Sequence, residues 1–371
     1  MNRIKICHIT TVHHALDDRI FFKECTALSK AGYVVFIVAP DSGGIKYNQG
    51  ITIISLTSTS NRLFRATFLS FSALKKALKT KASVYHFHDP ELMPIGVILK
   101  ILGKKVIYDV HEDLPKQIYY KPYIPNRLFK TFASFIVKYI ELFCCLFFDV
   151  IVAATEDIAR KFNVTKTIVI RNLAIVGLID KLKAYHHKSD KLTLIYAGGL
   201  SEERGIKEII LALEKVSIPV ELWLLGSWSS ESYQKTCSSL AGFTKTKYWG
   251  FMSMDQVYPY IKAADIGIAL LYPAKNYVTS LPVKAFEYMA CQKPIIMSNF
   301  DYWKKIFDGC ALFTDPLNPD KIALAIEQLY SHKTLAEQLA ANGRKLILEQ
   351  YSWENESSKL INAYEKLVYE D

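Results

Sequence analysis

Acidic side chains are scarce in one half of this sequence. Residues 1–170 hold 23 Lys and Arg against 13 Asp and Glu, the whole of the net +10, whereas residues 171–371 hold 23 of each. A basic first half and a neutral second half direct the first half toward nucleic acid, an anionic membrane face or an anionic substrate. No zinc-finger or RNP-type motif is present, which removes the usual grounds for nucleic acid. The seven cysteines (Cys7, Cys25, Cys144, Cys145, Cys237, Cys291 and Cys310) are odd in number and contain no C-x-x-C pair. Free thiols in a reducing compartment are expected, with neither a disulfide framework nor a zinc site. Residues 1–20 carry His13, His14, Asp17, Asp18 and Arg19, unlike the apolar core of a signal peptide, so a cytoplasmic location is expected. Long apolar runs are missing too. The best candidate, 128–152, is broken by Lys130, Lys138, Glu141 and Asp149, and its charge-free run Leu142 to Phe148 falls far short of the ~20 residues that a membrane span needs.

What is present is alternation. Half of the 371 residues are apolar, enough for two cores and too many for one. In the first half, strand patterns at 3–10, 33–38, 51–56, 84–87, 105–109, 150–154 and 164–170 alternate with helical patterns at 19–31, 62–81, 88–102 and 126–148. The stretch 172–191 breaks the periodicity and reads as a linker. Strand patterns at 192–197, 220–225, 245–249, 266–271, 293–297 and 311–313 then alternate with helices, and three helices follow from 320 onward. Such alternation means doubly wound parallel sheets. The expected class is α/β, with two Rossmann-like domains, 1–171 and 192–350, facing each other across a cleft.

The most informative stretch is Ser280-Leu281-Pro282-Val283-Lys284-Ala285-Phe286-Glu287-Tyr288-Met289-Ala290. Ser280 is expected to cap a helix whose first turn contains Pro282. The free amides and the dipole of that helix make an anion site at a strand end, and Lys284 adds a full charge. Glu287, three residues on, shares the face and accepts hydrogen bonds only, which suits the vicinal diol of a ribose. An isolated Lys-x-x-Glu is more often a solvated ion pair; the flanking apolar strands shift the balance, because the helix N-terminus then faces a ligand crevice. A second anion loop, Gly198-Gly199-Leu200-Ser201-Glu202-Glu203-Arg204-Gly205, follows the first strand of the second half. Its glycines allow close backbone approach and Arg204 offers a fork for a diphosphate.

In the first half, His111 and His88 stand just past strand ends, where sites form in such sheets. The loop 13–19 follows the first strand. The aromatic and basic side chains Tyr119, Tyr120, Lys121, Tyr123, Arg127, Phe129 and Lys130, with the basic helix 62–81, suit an anionic membrane surface. The alternative is that these aromatics fill the core of the first domain.

The segment Phe286-Glu287-Tyr288-Met289-Ala290-Cys291-Gln292-Lys293-Pro294-Ile295-Ile296 and the loop 198–205 resemble the donor site of the family 4 glycosyltransferases, retaining enzymes with the GT-B fold, and the likeness runs over nearly the whole chain. The resemblance implies a nucleotide-diphosphate sugar held by the second domain: Gly198, Gly199, Arg204, Ser280, Leu281 and Lys284 at the diphosphate, Glu287 at the ribose. It also implies retention of configuration, no metal or other cofactor, and a place in bacterial surface-glycan synthesis, with a glycan acceptor, lipid-linked at the cytoplasmic membrane face. The absence of a D-x-D motif agrees. Thr279 stands where the family's first paired Glu is usual, and Gly199 where an Arg often follows the first glycine. His111 falls at the family's active-site histidine, which touches the donor sugar. His13, Asp18, Arg19 and His88 are expected on the acceptor side. Residues 351–371, opened by Tyr351-Ser352-Trp353-Glu354, resemble the helix that crosses back to the first domain. Arg204, Lys284 and His111 are the expected catalytic set. Two other readings stay open: a sugar-nucleotide epimerase on the same scaffold, and an inactive membrane-surface subunit of a glycan assembly complex.

Overall fold

A computed structural model of the chain describes residues 3–41, 43–120, 126–274 and 277–369. It forms two compact units, Met1–Asn172 with Asn355–Asp371, and Leu173–Glu354.

The first unit is built on eight strands: β1 (Lys5–Ile9), β2 (Val34–Pro40), β3 (Ile45–Asn48), β4 (Ile51–Leu56), β5 (Val84–Phe87), β6 (Lys105–Val110), β7 (Val150–Ala153) and β8 (Thr167–Val169). Their order is β3-β4-β2-β1-β5-β6-β7-β8. All neighbours are parallel except β3, which pairs antiparallel with β4 at the edge. Hydrophobic pattern alone did not predict β3, since only Ile45 and Tyr47 alternate in it. The central strands are buried along nearly their whole length, as expected where helices cover both faces. The chain winds one way from β1 through β2 and β4, and the other way from β5 through β8, so the topological switch lies between β1 and β5. The helix expected at 19–31 is more tightly specified than periodicity showed: Ile20–Cys25 is a π-helical segment that continues as an α-helix over Thr26–Lys30. Most of the final helix, Trp353–Tyr369, belongs to this unit, where the Tyr364 hydroxyl lies 2.9 Å from His86 Nδ1.

The second unit has six parallel strands: β9 (Leu192–Ala197), β10 (Val220–Leu225), β11 (Thr246–Gly250), β12 (Ile266–Ala269), β13 (Ile295–Ser298) and β14 (Leu312–Thr314). Their order, β11-β10-β9-β12-β13-β14, puts the switch between β9 and β12. The loops after these two strands therefore flank the crevice where ligands bind in such sheets. The 172–191 stretch is not a free linker. Leu173, Ala174, Val176 and Ile179 are buried in the same core as Ile195, Phe286 and Met289, and Val176–Lys181 is helical. The polar residues at 185–191 had masked this apolar set.

Candidate functional site

The β9 and β12 loops of the second unit enclose a hollow of about 330 Å³ lined by Gly198, Arg204, Ser280, Leu281, Lys284 and Glu287, among others. Gly205, at φ +66°, turns the chain from a single helical turn, Glu202–Arg204, into the Ile206–Lys215 helix. Arg204 and Lys284 converge on Gly198. A Cβ built at that glycine, which has φ +137°, would lie 3.3 Å from Arg204 Nη1 and 3.3 Å from Lys284 Nζ. The backbone conformation there favours glycine, and its bare Cα lets both cationic tips come close.

Lys284 is half-buried along its stem, but its ammonium is enclosed and has no hydrogen-bond partner among the described residues. It rests 3.5 Å from the centre of the Tyr196 ring, an attraction between cation and ring face. Burial, aided by the charge of Arg204 and opposed by Glu287, holds the Lys284 pKa well below its ordinary range. Burial also pushes the Tyr196 hydroxyl up to about 12, against the pull of Arg204. Two cations held near each other in an enclosed space repel, so the hollow is electrostatically prepared for a polyanion.

The helix that delivers Lys284 and Glu287 spans Val283–Ala290, with Pro282 at its N-cap, no side-chain cap and no acid in its first turn. Ser280 is not its cap, contrary to expectation. Its hydroxyl donates to the Tyr277 carbonyl at 3.0 Å instead, closing a turn two residues before the helix begins. The Ser280 carbonyl in turn accepts from Trp303 Nε1 at 2.6 Å. Trp303 and Tyr196 were not foreseen. Trp303 lies on a different helix, and no local pattern ties it to this loop. Gly199 and Thr279 do not line the hollow. Gly199 instead offers its carbonyl to the Tyr196 hydroxyl at 3.2 Å, so its contribution is to hold the loop.

In the first unit the switch point gathers His13, His88 and His111 around Asp109. Arg19, expected to face an acceptor, is buried. It grips Asp109 with two hydrogen bonds, Nε to Oδ2 at 3.0 Å and Nη2 to Oδ1 at 2.9 Å, and donates Nη1 to the Ile170 carbonyl at 2.9 Å. A guanidinium so committed is an internal brace. Burial alone would raise the Asp109 pKa, but Arg19, His111 and His88 hold it well below the carboxylate range. His111 Nε2 lies 2.8 Å from Asp109 Oδ2, and His88 Nδ1 lies 3.1 Å from the same oxygen. His88 is buried, with its Nε2 2.9 Å from His8 Nδ1. His13 Nδ1 lies 3.1 Å from Asp17, and its ring stands 5.1 Å from that of His111. Burial opposes protonation of His13, but Asp17, Asp89 and Asp109 outweigh it and raise its pKa. Asp18 is exposed.

Among the described residues two sets of donors lie close enough to share a metal ion: His8, Glu24, His86 and His88, and His88, Asp109 and His111. Arg19 stands within 3.1 Å of Glu24 and 2.9 Å of Asp109, so both carboxylates already face a fixed positive charge. A cation there would have to compete with it.

Comparison with known proteins agrees with this layout. The Glycosyltransferase Family 4 model matches residues 19–172, and the model for Glycosyl transferases group 1 matches residues 179–346. Each half of the chain thus matches a glycosyltransferase model, and the two doubly wound units are those of the GT-B fold. Over 179 residues, 47% of this chain and 45% of the other, it is 31% identical to the O-antigen chain mannosyltransferase B of Escherichia coli. The chain spans about half the length of the curated relatives it matches. Sucrose-phosphate synthase of Thermosynechococcus elongatus is similar over the full length of both chains, with a TM-score of 0.77 at 17% identity. Anabaena HepE in complex with UDP-glucose covers 98% of this chain and 100% of its own, with a TM-score of 0.72 at 13% identity. At such identities the likeness to these structures is one of fold.

Proposed function

We propose that this chain transfers a sugar from a nucleotide-diphosphate sugar to a hydroxyl of a lipid-linked surface glycan, with retention of configuration. The observation that carries the reading is the enclosed, unpartnered ammonium of Lys284 beside Arg204 in the hollow at the β9/β12 switch. As the bond from the sugar to the diphosphate breaks, negative charge grows on the departing phosphate. Arg204, Lys284 and the uncapped amides at Val283 take up that charge, and in this reading no metal or other cofactor is needed. The same phosphate, leaving on the face that the acceptor enters, accepts the proton of the attacking hydroxyl. Glu287 accepts hydrogen bonds from the ribose. His111, held through Nε2 by Asp109, is assigned to orienting the sugar rather than to proton transfer. The UDP-glucose bound by the Anabaena neighbour supports a nucleotide-sugar donor, and the O-antigen relative supports a surface polysaccharide as destination.

The test is a panel of nucleotide sugars screened by thermal stabilisation, followed by transfer assays with the best donor and analysis of the product's anomeric configuration by NMR. A Tm that rises for one nucleotide sugar, and a product that keeps the donor's configuration, are expected. An inverted product overturns retention, and an epimerised donor formed without acceptor overturns transfer.

A further inference from the structure

The first unit carries a helix that is inside out. Along Arg127–Cys145 no described side chain from Leu128 to Ile140 is buried. Leu128 is 80% exposed, Phe129 60%, Phe132 61%, Phe135 57% and Phe143 61%. The helix's one acidic residue, Glu141, is buried instead and accepts a hydrogen bond from the Tyr108 hydroxyl at 3.1 Å. A water-facing helix has the opposite arrangement. At roughly 100 Å² of exposed side chain apiece, these five alone reach about 500 Å², the size of the largest apolar patch on a typical monomer, which is often a functional surface. Phe129, expected as an alternative to fill the core, is therefore at the surface, and Tyr119 is half-buried. Of the flanking positions also expected at that surface, Lys121 and Tyr123 lie outside the described residues.

A second helical stretch repeats the pattern on the same side of the sheet. Over 62–79, Phe68 is 72% exposed and Phe71 56%, while Leu69, Ala73, Leu74 and Ala77 pack into the core shared with Cys144 and Phe148. The Met93–Ile101 helix packs against both stretches. Residues 62–79 contain five basic side chains and no acidic one, and the Arg127–Cys145 helix adds Arg127, Lys130 and Lys138. Among the described side chains, every charge that these two stretches turn outward is thus positive. A folded protein partner presents both signs, whereas an anionic bilayer presents one sign over an apolar interior. No helix among the described residues is long and apolar enough to cross a membrane, so the geometry is that of a helix lying in the interface plane.

We propose that this face docks the chain on an anionic lipid bilayer, with the phenylalanine rings seated among the acyl chains and the lysines at the headgroups. The inference rests on the first unit alone and stands apart from the nucleotide hollow of the second. The full chain is to be sedimented with vesicles of phosphatidylcholine alone and of phosphatidylcholine with phosphatidylglycerol at 3:1. Binding to the anionic vesicles, with at least ten-fold weaker binding to the neutral ones, is expected. Phe132→Ser with Phe135→Ser, and separately Lys130→Glu with Lys138→Glu, are each expected to lower binding at least ten-fold while the circular dichroism and the thermal shift with nucleotide stay unchanged. No vesicle binding overturns the proposal, as does equal binding by the variants. A dimer in solution that the phenylalanine substitutions dissociate overturns it in favour of a second copy of this chain. Loss of nucleotide binding with vesicle binding retained refutes the donor reading and leaves this one standing.

Discussion

The Lys284 ammonium sits 3.5 Å above the centre of the Tyr196 ring, enclosed and without a hydrogen-bond partner among the described residues. A buried cation in that state costs stability while the hollow is empty and favours an anion that fills it. Function and stability therefore place opposite demands on this residue.

Lys284→Met keeps the stem and removes the charge. It is expected to lower turnover by about 10²–10³-fold, the usual loss when one stabilising donor is removed from a developing anion. The same variant is expected to melt higher than the parent by about 2–4 °C per kcal/mol gained. Scanning calorimetry and a transfer assay read the two effects separately. A variant that melts lower and turns over normally refutes the assignment.

The depressed pKa of Lys284 sets a pH dependence with a definite sign. The folded protein holds this proton less tightly than the unfolded chain does. The penalty is fully present below the folded pKa and disappears as pH rises to the unfolded value, so this group's contribution makes stability increase with pH across that window. A bound diphosphate raises the pKa again. Its affinity should fall as pH rises through the value of the free protein, and binding above that value should take up a proton. Titration calorimetry in buffers of different ionisation enthalpy measures the uptake; proton release would contradict it.

Glu287→Gln separates ribose from phosphate. The variant should bind a nucleoside diphosphate about ten-fold more weakly, the scale of a lost charge-assisted hydrogen bond, and inorganic pyrophosphate with unchanged affinity. Equal losses for both ligands would place Glu287 at the phosphates instead.

Gly267→Ala tests the packing that supports the end of β9. An added Cβ would lie 2.4 Å from Tyr288 Cδ2, and the Tyr288 hydroxyl accepts from the Ala197 amide at 2.8 Å. Overpacking of this kind costs about 1–3 kcal/mol, and displacing Tyr288 disturbs the strand end that leads into Gly198. Urea unfolding should report the loss, and weaker donor binding should accompany it.

Asp109→Asn removes the buried charge that Arg19, His88 and His111 share. It should cost about 3–5 kcal/mol, because it takes from a buried guanidinium the carboxylate that grips it with two hydrogen bonds and leaves it only Glu24. The parent's stability from Asp109 is present above the unfolded carboxylate pKa and is lost as pH falls toward its depressed folded value. Equilibrium unfolding of parent and variant between neutral and acid pH measures both. A variant as stable as the parent at neutral pH would show that the network carries little energy.

Much of this protein is written in its local sequence. Strands such as β9 and β13 are short runs of apolar residues bounded by breaks, so their period and length declare them. The turn at Gly198 and Gly205, and the helix bearing Lys284 and Glu287, could be placed because a helix after a strand in a doubly wound sheet begins at its ligand edge. Tertiary structure decided the rest. Arg19 had the composition of a ligand-binding residue and became a brace, because its partner Asp109 is 90 residues away in sequence. Ser280 had the identity of a cap and bonded Tyr277 instead, while Trp303, invisible to any local pattern, holds its carbonyl. The helix at Arg127–Cys145 shows the limit most plainly: periodicity reveals that a helix has an apolar face, but only packing decides whether that face turns to the core or to the outside, since burial is a property of neighbours and not of the residue itself.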